Sequence, residues 1–202
     1  MLENARLYLV TTAKPTAWLD AAVQGGVDVI QLRDRSLTTD AKIAAAAEAF
    51  AAVAQAHGIP FILNDRADLV EAVGADGVHV GQDDMPAAEA RALIGEHRIL
   101  GLSTHAPDQG AAAAADPLVD YLSIGPVHET PTKPGRPAAG IGYVEWAAGA
   151  GIGKPWFAIG GLDIANVGEV LAAGATRVVV VRAITAAGDP ELAARELREA
   201  LG

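Results

Sequence analysis

Residues 74–84 read GADGVHVGQDD, and this stretch contains the unit from which the fold is predicted. Gly74 suits the left-handed turn that ends a helix, and the short, mostly apolar run 78–80 is typical of a buried strand. The run ends in Gln82, Asp83 and Asp84. Polar residues at the C-terminal ends of parallel strands are typical of the rim where α/β barrels build their sites.

The same unit recurs along the chain. Gly26 and Gly174 begin two further copies, in which a small residue and a polar one follow the glycine as the chain enters the next strand. Asp163 and Asp189 stand where helix N-caps are expected. Alanine-rich segments predict helices at 41–57, 86–95, 164–173 and 190–201. Eight apolar runs predict strands at 7–10, 27–32, 61–63, 78–80, 99–102, 121–127, 156–159 and 178–181.

Strands that alternate with helices imply parallel pairing through right-handed crossovers. The alternative is a doubly wound open sheet, which needs more polar edge strands and a nucleotide fingerprint after the first strand. All eight runs are similarly apolar, and residues 10–15, VTTAKP, lack that glycine pattern. We therefore predict one α/β domain over residues 1–202, a single (β/α)8 TIM barrel.

Composition narrows the class of protein. The chain has 202 residues, no cysteine and a net charge of −10, which argues against nucleic-acid binding. No apolar stretch approaches the roughly 18 residues that span a membrane. Without cysteine there is no thiol nucleophile, and the N-terminus lacks a signal-peptide pattern, so a cytoplasmic location is expected. The oligomeric state stays open, a homo-oligomer included.

The few cations cluster after predicted strands, which predicts a small anionic ligand at the rim. They are Arg33, Arg35, Lys133, Arg136 and Arg182. Gln31 alternates with Arg33 and Arg35, so the three project to one side. A guanidinium group can donate two parallel hydrogen bonds to the oxygens of one phosphate. The other interpretation is an ion-pair set with Asp34 and Asp28.

Two carboxylates follow neighbouring strands. Asp65 and Asp84 come after the third and fourth predicted strands, whose loops lie together in a parallel barrel. Carboxylates with few other protein ligands suit Mg²⁺, which keeps its waters and takes phosphate oxygens. Each aspartate could instead cap a helix. The neighbouring Asn64 and Gln82 favour the metal site.

Glycines follow the seventh strand. Gly160 and Gly161, with Arg182 after the eighth strand, occupy the place where barrels commonly bind phosphate. Segment 130–142, rich in glycine and proline, begins with two hydroxyls and an ammonium, in Thr130, Pro131, Thr132 and Lys133. Ordinary turns are the alternative for both segments, and a helix cap is the alternative for Ser103. His79 lies inside a strand, which predicts an inward-facing or core residue rather than a catalytic base.

Five motifs occur in register along the chain: QLRDR at 31–35, NDR at 64–66, VHVGQDD at 78–84, GPV with TPTK at 125–133, and AIGG at 158–161. Together they resemble thiamine-phosphate synthases. The resemblance runs from Tyr8 to the last helix. It implies a barrel enzyme that joins a pyrimidine methyl diphosphate to a thiazole ethyl phosphate with Mg²⁺, giving thiamine phosphate and pyrophosphate.

The resemblance also implies residue roles. Asp65 and Asp84 would bind the metal, and Lys133, Arg33 and Ser103 would act in the chemistry. The pyrimidine diphosphate would contact Gln31, Leu32, Arg33, Asp34, Arg35, Asn64, Ser103 and Lys133. The thiazole phosphate would contact Thr130, Pro131, Thr132, Gly161, Val181 and Arg182.

Three positions depart from the family's usual residues. Arg35 stands where lysine is common, His128 where an aromatic residue is usual, and Arg182 where serine is usual. The reaction implied is dissociative, so catalysis would rest on alignment and on electrostatic stabilisation of the leaving pyrophosphate. Two alternatives stay open: a non-transferase relative, such as a thiazole tautomerase or regulatory protein, and a phosphate-binding protein without catalysis.

Overall fold

The computed structural model describes residues 2–130 and 137–202, which form a closed barrel of parallel strands. Each strand pairs with the next along the chain, and β1 pairs with β8. A closed barrel has no edge strands, so the predicted TIM barrel is confirmed and the open sheet is excluded. The strands are β1 Leu7–Thr11, β2 Val29–Leu32, β3 Phe61–Asn64, β4 Gly77–Val80, β5 Ile99–Thr104, β6 Tyr121–Ile124, β7 Trp156–Ile159 and β8 Val178–Val180.

Helices surround the barrel. They are α1 Thr16–Gln24, α2 Asp40–His57, α3 Ala87–Ile94, α4 Pro107–Ala115, α5 Ile141–Gly149, α6 Val167–Ala172, α7 Arg182–Thr185 and α8 Pro190–Leu201, with 3-10 turns at Leu2–Asn4 and Ala67–Leu69. Within the part of the chain that the structure describes, no helix has the length and apolarity to cross a membrane. The β3–β4 connection departs from the regular alternation, because residues 65–76 form turns instead of an α-helix.

The two predicted helix caps have different outcomes. Asp189 caps α8, and its carboxylate accepts the N–H of Leu192 at 3.0 Å. Asp163 does not cap α6, which begins at Val167. Its carboxylate accepts the N–H of Ala165 at 2.9 Å instead. Such local side-chain bonds compete with helical geometry, which explains why α6 starts later than the predicted residue 164.

Carboxylates bind main-chain N–H groups at the N-terminal end of the barrel. The carboxylate of Asp28 accepts the N–H groups of Arg6 and Leu7 at 2.7 and 2.9 Å. In the same way, Asp76 accepts the N–H of Phe61, the first residue of β3, and Asp120 accepts the N–H of Leu100, the second residue of β5. Because Asp28 lies at the start of β2 and binds these main-chain groups, the alternative interpretation, an ion pair between Asp28 and the arginines at the other end of that strand, is not found among the described residues.

Aromatic side chains fill the middle of the barrel. The ring of Phe157 meets Tyr8 and Tyr121 edge-on, with centroids 5.4 and 5.8 Å apart. These rings are fully buried, and a cavity lies beyond them toward the C-terminal ends of the strands. The next layer in that direction is polar, and it forms the floor of the site.

Candidate active site

A cavity of about 330 Å³ lies at the C-terminal ends of the strands. Residues from the whole circumference line it, which agrees with the predicted rim. Of the predicted site residues, the cavity brings together Gln31, Arg33, Asn64, Ser103, Thr130, Gly161, Val181 and Arg182. Apolar side chains of Val10, Ile159 and Val179 complete one part of the wall.

Three residues of the 31–35 motif lie away from this wall. Leu32 is buried in the layer between barrel and helices, because successive side chains of a strand point to opposite faces. Asp34 accepts hydrogen bonds from the Ser36 hydroxyl at 2.6 Å and the Ala13 N–H at 3.1 Å. These bonds, the one from Ser36 first, lower the pKa of Asp34. Arg35 is exposed.

Arg33 is a half-buried cation of this rim. Burial lowers the pKa of its guanidinium, and the charge of Arg35 lowers it further. The carboxylates of Asp65 and Asp84 act in the opposite direction and raise the pKa. Both predicted metal ligands therefore lie near enough to Arg33 to influence its charge. Strands β3 and β4 bring them there, since the Asp65 N–H donates to the His79 carbonyl at 2.9 Å.

The local backbone fits carboxylates at these positions. Asp65 has a φ of 63°, an uncommon left-handed conformation for a residue other than glycine. Asp84 accepts the Gly81 N–H at 2.9 Å, and a Cβ at Gly81 would lie 2.5 Å from that carboxylate oxygen. Among the described residues, no group of three or more histidine, aspartate or glutamate side chains could hold a metal. Two carboxylates alone suit Mg²⁺, which completes its shell with water and phosphate oxygens.

The opposite wall combines two glycines and an arginine. Gly160 and Gly161 have positive φ values of 113° and 65°. A Cβ at Gly160 would lie 2.5 Å from the Pro126 Cα, so the two loops can approach only because the residue is glycine. Arg182 opens α7 with an exposed side chain that reaches the cavity. Main-chain N–H groups and a guanidinium are suitable partners for a phosphate.

Two histidines that follow β5 and β6 have separate environments. His105 lines the cavity, and its Nδ1 lies 2.6 Å from the Gly125 carbonyl. His128 faces Glu169 of α6 at 3.7 Å. The predicted residues Pro131, Thr132 and Lys133, together with Arg136, lie outside the described residues.

Sequence reasoning missed the polar floor of the cavity. Tyr8, Tyr121 and Ser123 join the set Gln31, His79 and Ser103 in continuous hydrogen bonds across the barrel. The available signal was the strand alternation, which places Tyr8 on the same face as Val10, toward the interior. The polar floor was missed because a tyrosine within an apolar run has the pattern of an ordinary core residue.

A closed barrel with carboxylates, guanidinium groups and glycine turns at the rim of one cavity defines a TIM-barrel enzyme of phosphate-bearing substrates. A family model for thiamine monophosphate synthase matches residues 7–184. The chain belongs to the thiamine monophosphate synthase family, which confirms the resemblance and the enzyme class, a transferase, predicted from the motifs.

Individual relatives agree with the family. The chain is 53% identical to the thiamine-phosphate synthase of Thermus thermophilus over 203 residues, covering 97% of each chain. It is 50% identical to that of Thermobifida fusca over 205 residues, covering 99% of this chain and 94% of the relative. The thiamine phosphate pyrophosphorylase from Pyrococcus furiosus superposes with a TM-score of 0.87 at 28% identity, covering 98% of this chain and 95% of that one.

Proposed function

We propose that the chain joins a pyrimidine methyl diphosphate to a thiazole ethyl phosphate, forming thiamine phosphate and releasing pyrophosphate. The single observation that carries this proposal is the composition of one cavity. Arg33, Asn64 and Ser103 line one side of it, while Gly161 and Arg182 line the other. The cavity therefore offers partners for two phosphate-bearing molecules at once, in a chain of this family.

Each side of the cavity has a distinct task. Arg33, Asn64 and Ser103 bind the diphosphate and stabilise the charge that develops as the C–O bond to the methylene breaks. Gly161, Val181 and Arg182 hold the thiazole phosphate, so that the thiazole nitrogen faces the methylene carbon. Holding both reactants in one cavity removes the entropy cost of their encounter during the chemical step. No protein nucleophile takes part.

Asp65 and Asp84 would hold Mg²⁺ beside Arg33. The metal, when bound, neutralises negative charge on the diphosphate oxygens. The two carboxylates and Arg33 together determine where the diphosphate binds. The guanidinium of Arg33 attracts the diphosphate, whereas the carboxylates of Asp65 and Asp84 repel it unless a metal ion lies between them. Lys133 is proposed to add a further positive charge, on the grounds of its sequence motif alone. A cytoplasmic location stays a prediction.

Thiamine phosphate formation with and without Mg²⁺ tests the proposal, with Asp84→Asn as the critical variant. We expect wild-type activity to require the metal, and the variant to lose turnover by orders of magnitude without loss of folding. Glu89→Gln, an exposed carboxylate-to-amide change in α3, is the matched control and retains activity. Full activity of Asp84→Asn at limiting Mg²⁺ would contradict the metal assignment.

A further inference from the structure

A chain of hydrogen bonds crosses the barrel beneath the cavity. The Gln31 amide Nε2 donates to the Tyr8 hydroxyl at 2.7 Å, and the hydroxyls of Tyr8 and Tyr121 lie 2.9 Å apart. The Tyr121 hydroxyl lies 2.9 Å from His79 Nδ1, and His79 Nε2 lies 2.8 Å from Ser103 Oγ. This set of residues is called the relay below. Its two ends, Gln31 and Ser103, both line the cavity.

With the Gln31 amide oriented as in the structure, only one direction of the relay gives the protons of both tyrosine hydroxyls an acceptor within the protein. An amide nitrogen only donates, so the Tyr8 hydroxyl accepts from Gln31 and directs its own proton to Tyr121. Tyr121 then donates to His79 Nδ1, which must carry no proton in order to accept. The reverse direction would leave the Tyr8 proton without an acceptor among the described residues. Such an unmade hydrogen bond in a buried site is costly.

This direction of donation determines which atom donates between His79 and Ser103. With Nδ1 unprotonated, His79 is neutral and carries its proton on Nε2, which donates to Ser103 Oγ. The Ser123 hydroxyl also donates to Ser103 Oγ, at 3.4 Å. Ser103 therefore accepts from within the protein, and its own hydroxyl proton is left to point at a ligand in the cavity.

The packing around the relay holds this arrangement in place. Tyr8 is 1% and Tyr121 0% exposed, and burial raises the pKa of both hydroxyls, so each keeps its proton. The register of the strands puts Gly101 between His79 and Tyr121. A Cβ at Gly101 would lie 2.1 Å from Tyr121 Cζ. The glycine thus leaves the space through which the tyrosine ring reaches the histidine.

We propose that Tyr8 and Tyr121 are positioning residues that hold His79 in the neutral Nε2–H tautomer and thereby direct the Ser103 hydroxyl proton into the cavity as a donor to the substrate diphosphate. The diphosphate part of this proposal rests on the proposed function. The tautomer itself does not, because it follows from contacts within the protein.

Nitrogen NMR of protein labelled with ¹⁵N-histidine tests the tautomer without substrate, and His79→Gln assigns the signals. Near neutral pH we expect the wild-type protein to show a protonated Nε2 and an unprotonated Nδ1 for His79. Tyr121→Phe keeps the ring and removes the hydroxyl, so the signals should shift toward a mixture of both tautomers. A wild-type spectrum with the proton on Nδ1 would overturn the proposal, whether or not any variant folds.

Tyr143→Phe is the matched control. It removes another buried hydroxyl, which donates to Thr104 at 2.7 Å outside the relay. We expect the His79 spectrum and the activity to stay as in the wild type. If Tyr121→Phe has the same His79 spectrum as this control, the tyrosine does not fix the tautomer.

Kinetics test the link to Ser103. Tyr121→Phe should lower kcat about tenfold, the loss expected when one hydrogen bond to a charged group is weakened, with KM for the thiazole phosphate changed less than twofold. In a Ser103→Ala background the same change should have almost no further effect. An undiminished tenfold loss there would overturn the link. A correct tautomer in an enzyme that makes no thiamine phosphate would instead refute the proposed function and leave the tautomer standing.

Discussion

Replacement of Arg182 by serine tests how the protein holds the thiazole phosphate. In the free protein the guanidinium is exposed and lines the cavity, and it makes no hydrogen bond or ion pair with residues 2–130 or 137–202. Removing the guanidinium therefore removes no interaction that stabilises the fold. We expect the free energy of unfolding to change by less than about 0.5 kcal/mol.

The effect on binding is expected to be much larger. A hydrogen bond between a guanidinium and a phosphate contributes roughly 1.5–3 kcal/mol, which corresponds to about a ten- to hundredfold change in affinity. Because the side chain is exposed, water competes for the phosphate and screens the charge. We therefore place the expected loss near the lower end, at about tenfold.

Isothermal titration with the thiazole phosphate measures this loss directly. Arg195→Ser on α8 is the control, since it removes the same charge from an exposed side chain that does not line the cavity. Arg182→Lys should have an intermediate affinity, because it keeps the charge and loses the forked geometry. A change of less than about twofold in Arg182→Ser would refute the reasoning and assign phosphate binding to the main-chain N–H groups.

Two further outcomes follow from the fold. Gly101→Ala should lower the free energy of unfolding by about 1–3 kcal/mol or more in chemical denaturation, because the added Cβ overlaps Tyr121. Gly142→Ala is the control, because a Cβ at Gly142 would meet nothing within 4 Å. Equal stability of the two variants would contradict the packing of Gly101 against Tyr121. Because hydrogen bonds lower the pKa of Asp34, its ionisation stabilises the protein fully above the unfolded pKa of about 3.9, and this contribution is lost as the pH falls through the folded value. Asp34→Asn should therefore have a shallower loss of stability in acid, whereas an unchanged slope of unfolding free energy against pH would argue against these bonds.

The barrel was predictable because each strand is a compact apolar run with a distinct end. The run 156–159 coincides with β7, and the others differ by a few residues. The predicted strand 121–127 ends earlier, at Ile124, since Pro126 has no N–H to donate to a ladder. Nothing in the composition of residues 65–76 distinguishes a helix from the turns that the structure has there.

The site was predictable where charged residues follow strands and less so where contacts are internal. Arg33 and Arg182 stood out against an acidic chain, and both line the cavity. The contiguous motif at 31–35 did not show that Arg33 lines the cavity and that Leu32 does not. The role of Leu32 at the substrate stays a prediction. The relay depends on two tyrosines that meet across the barrel, and sequence separation hides such a contact until the strands are closed.

The stoichiometry of products tests the central claim most directly. Purified protein with Mg²⁺, the pyrimidine methyl diphosphate and the thiazole ethyl phosphate should form thiamine phosphate and pyrophosphate in equal amounts, and neither should form when one substrate is omitted. If the folded protein binds the thiazole phosphate but forms no thiamine phosphate under these conditions, the proposed reaction is contradicted.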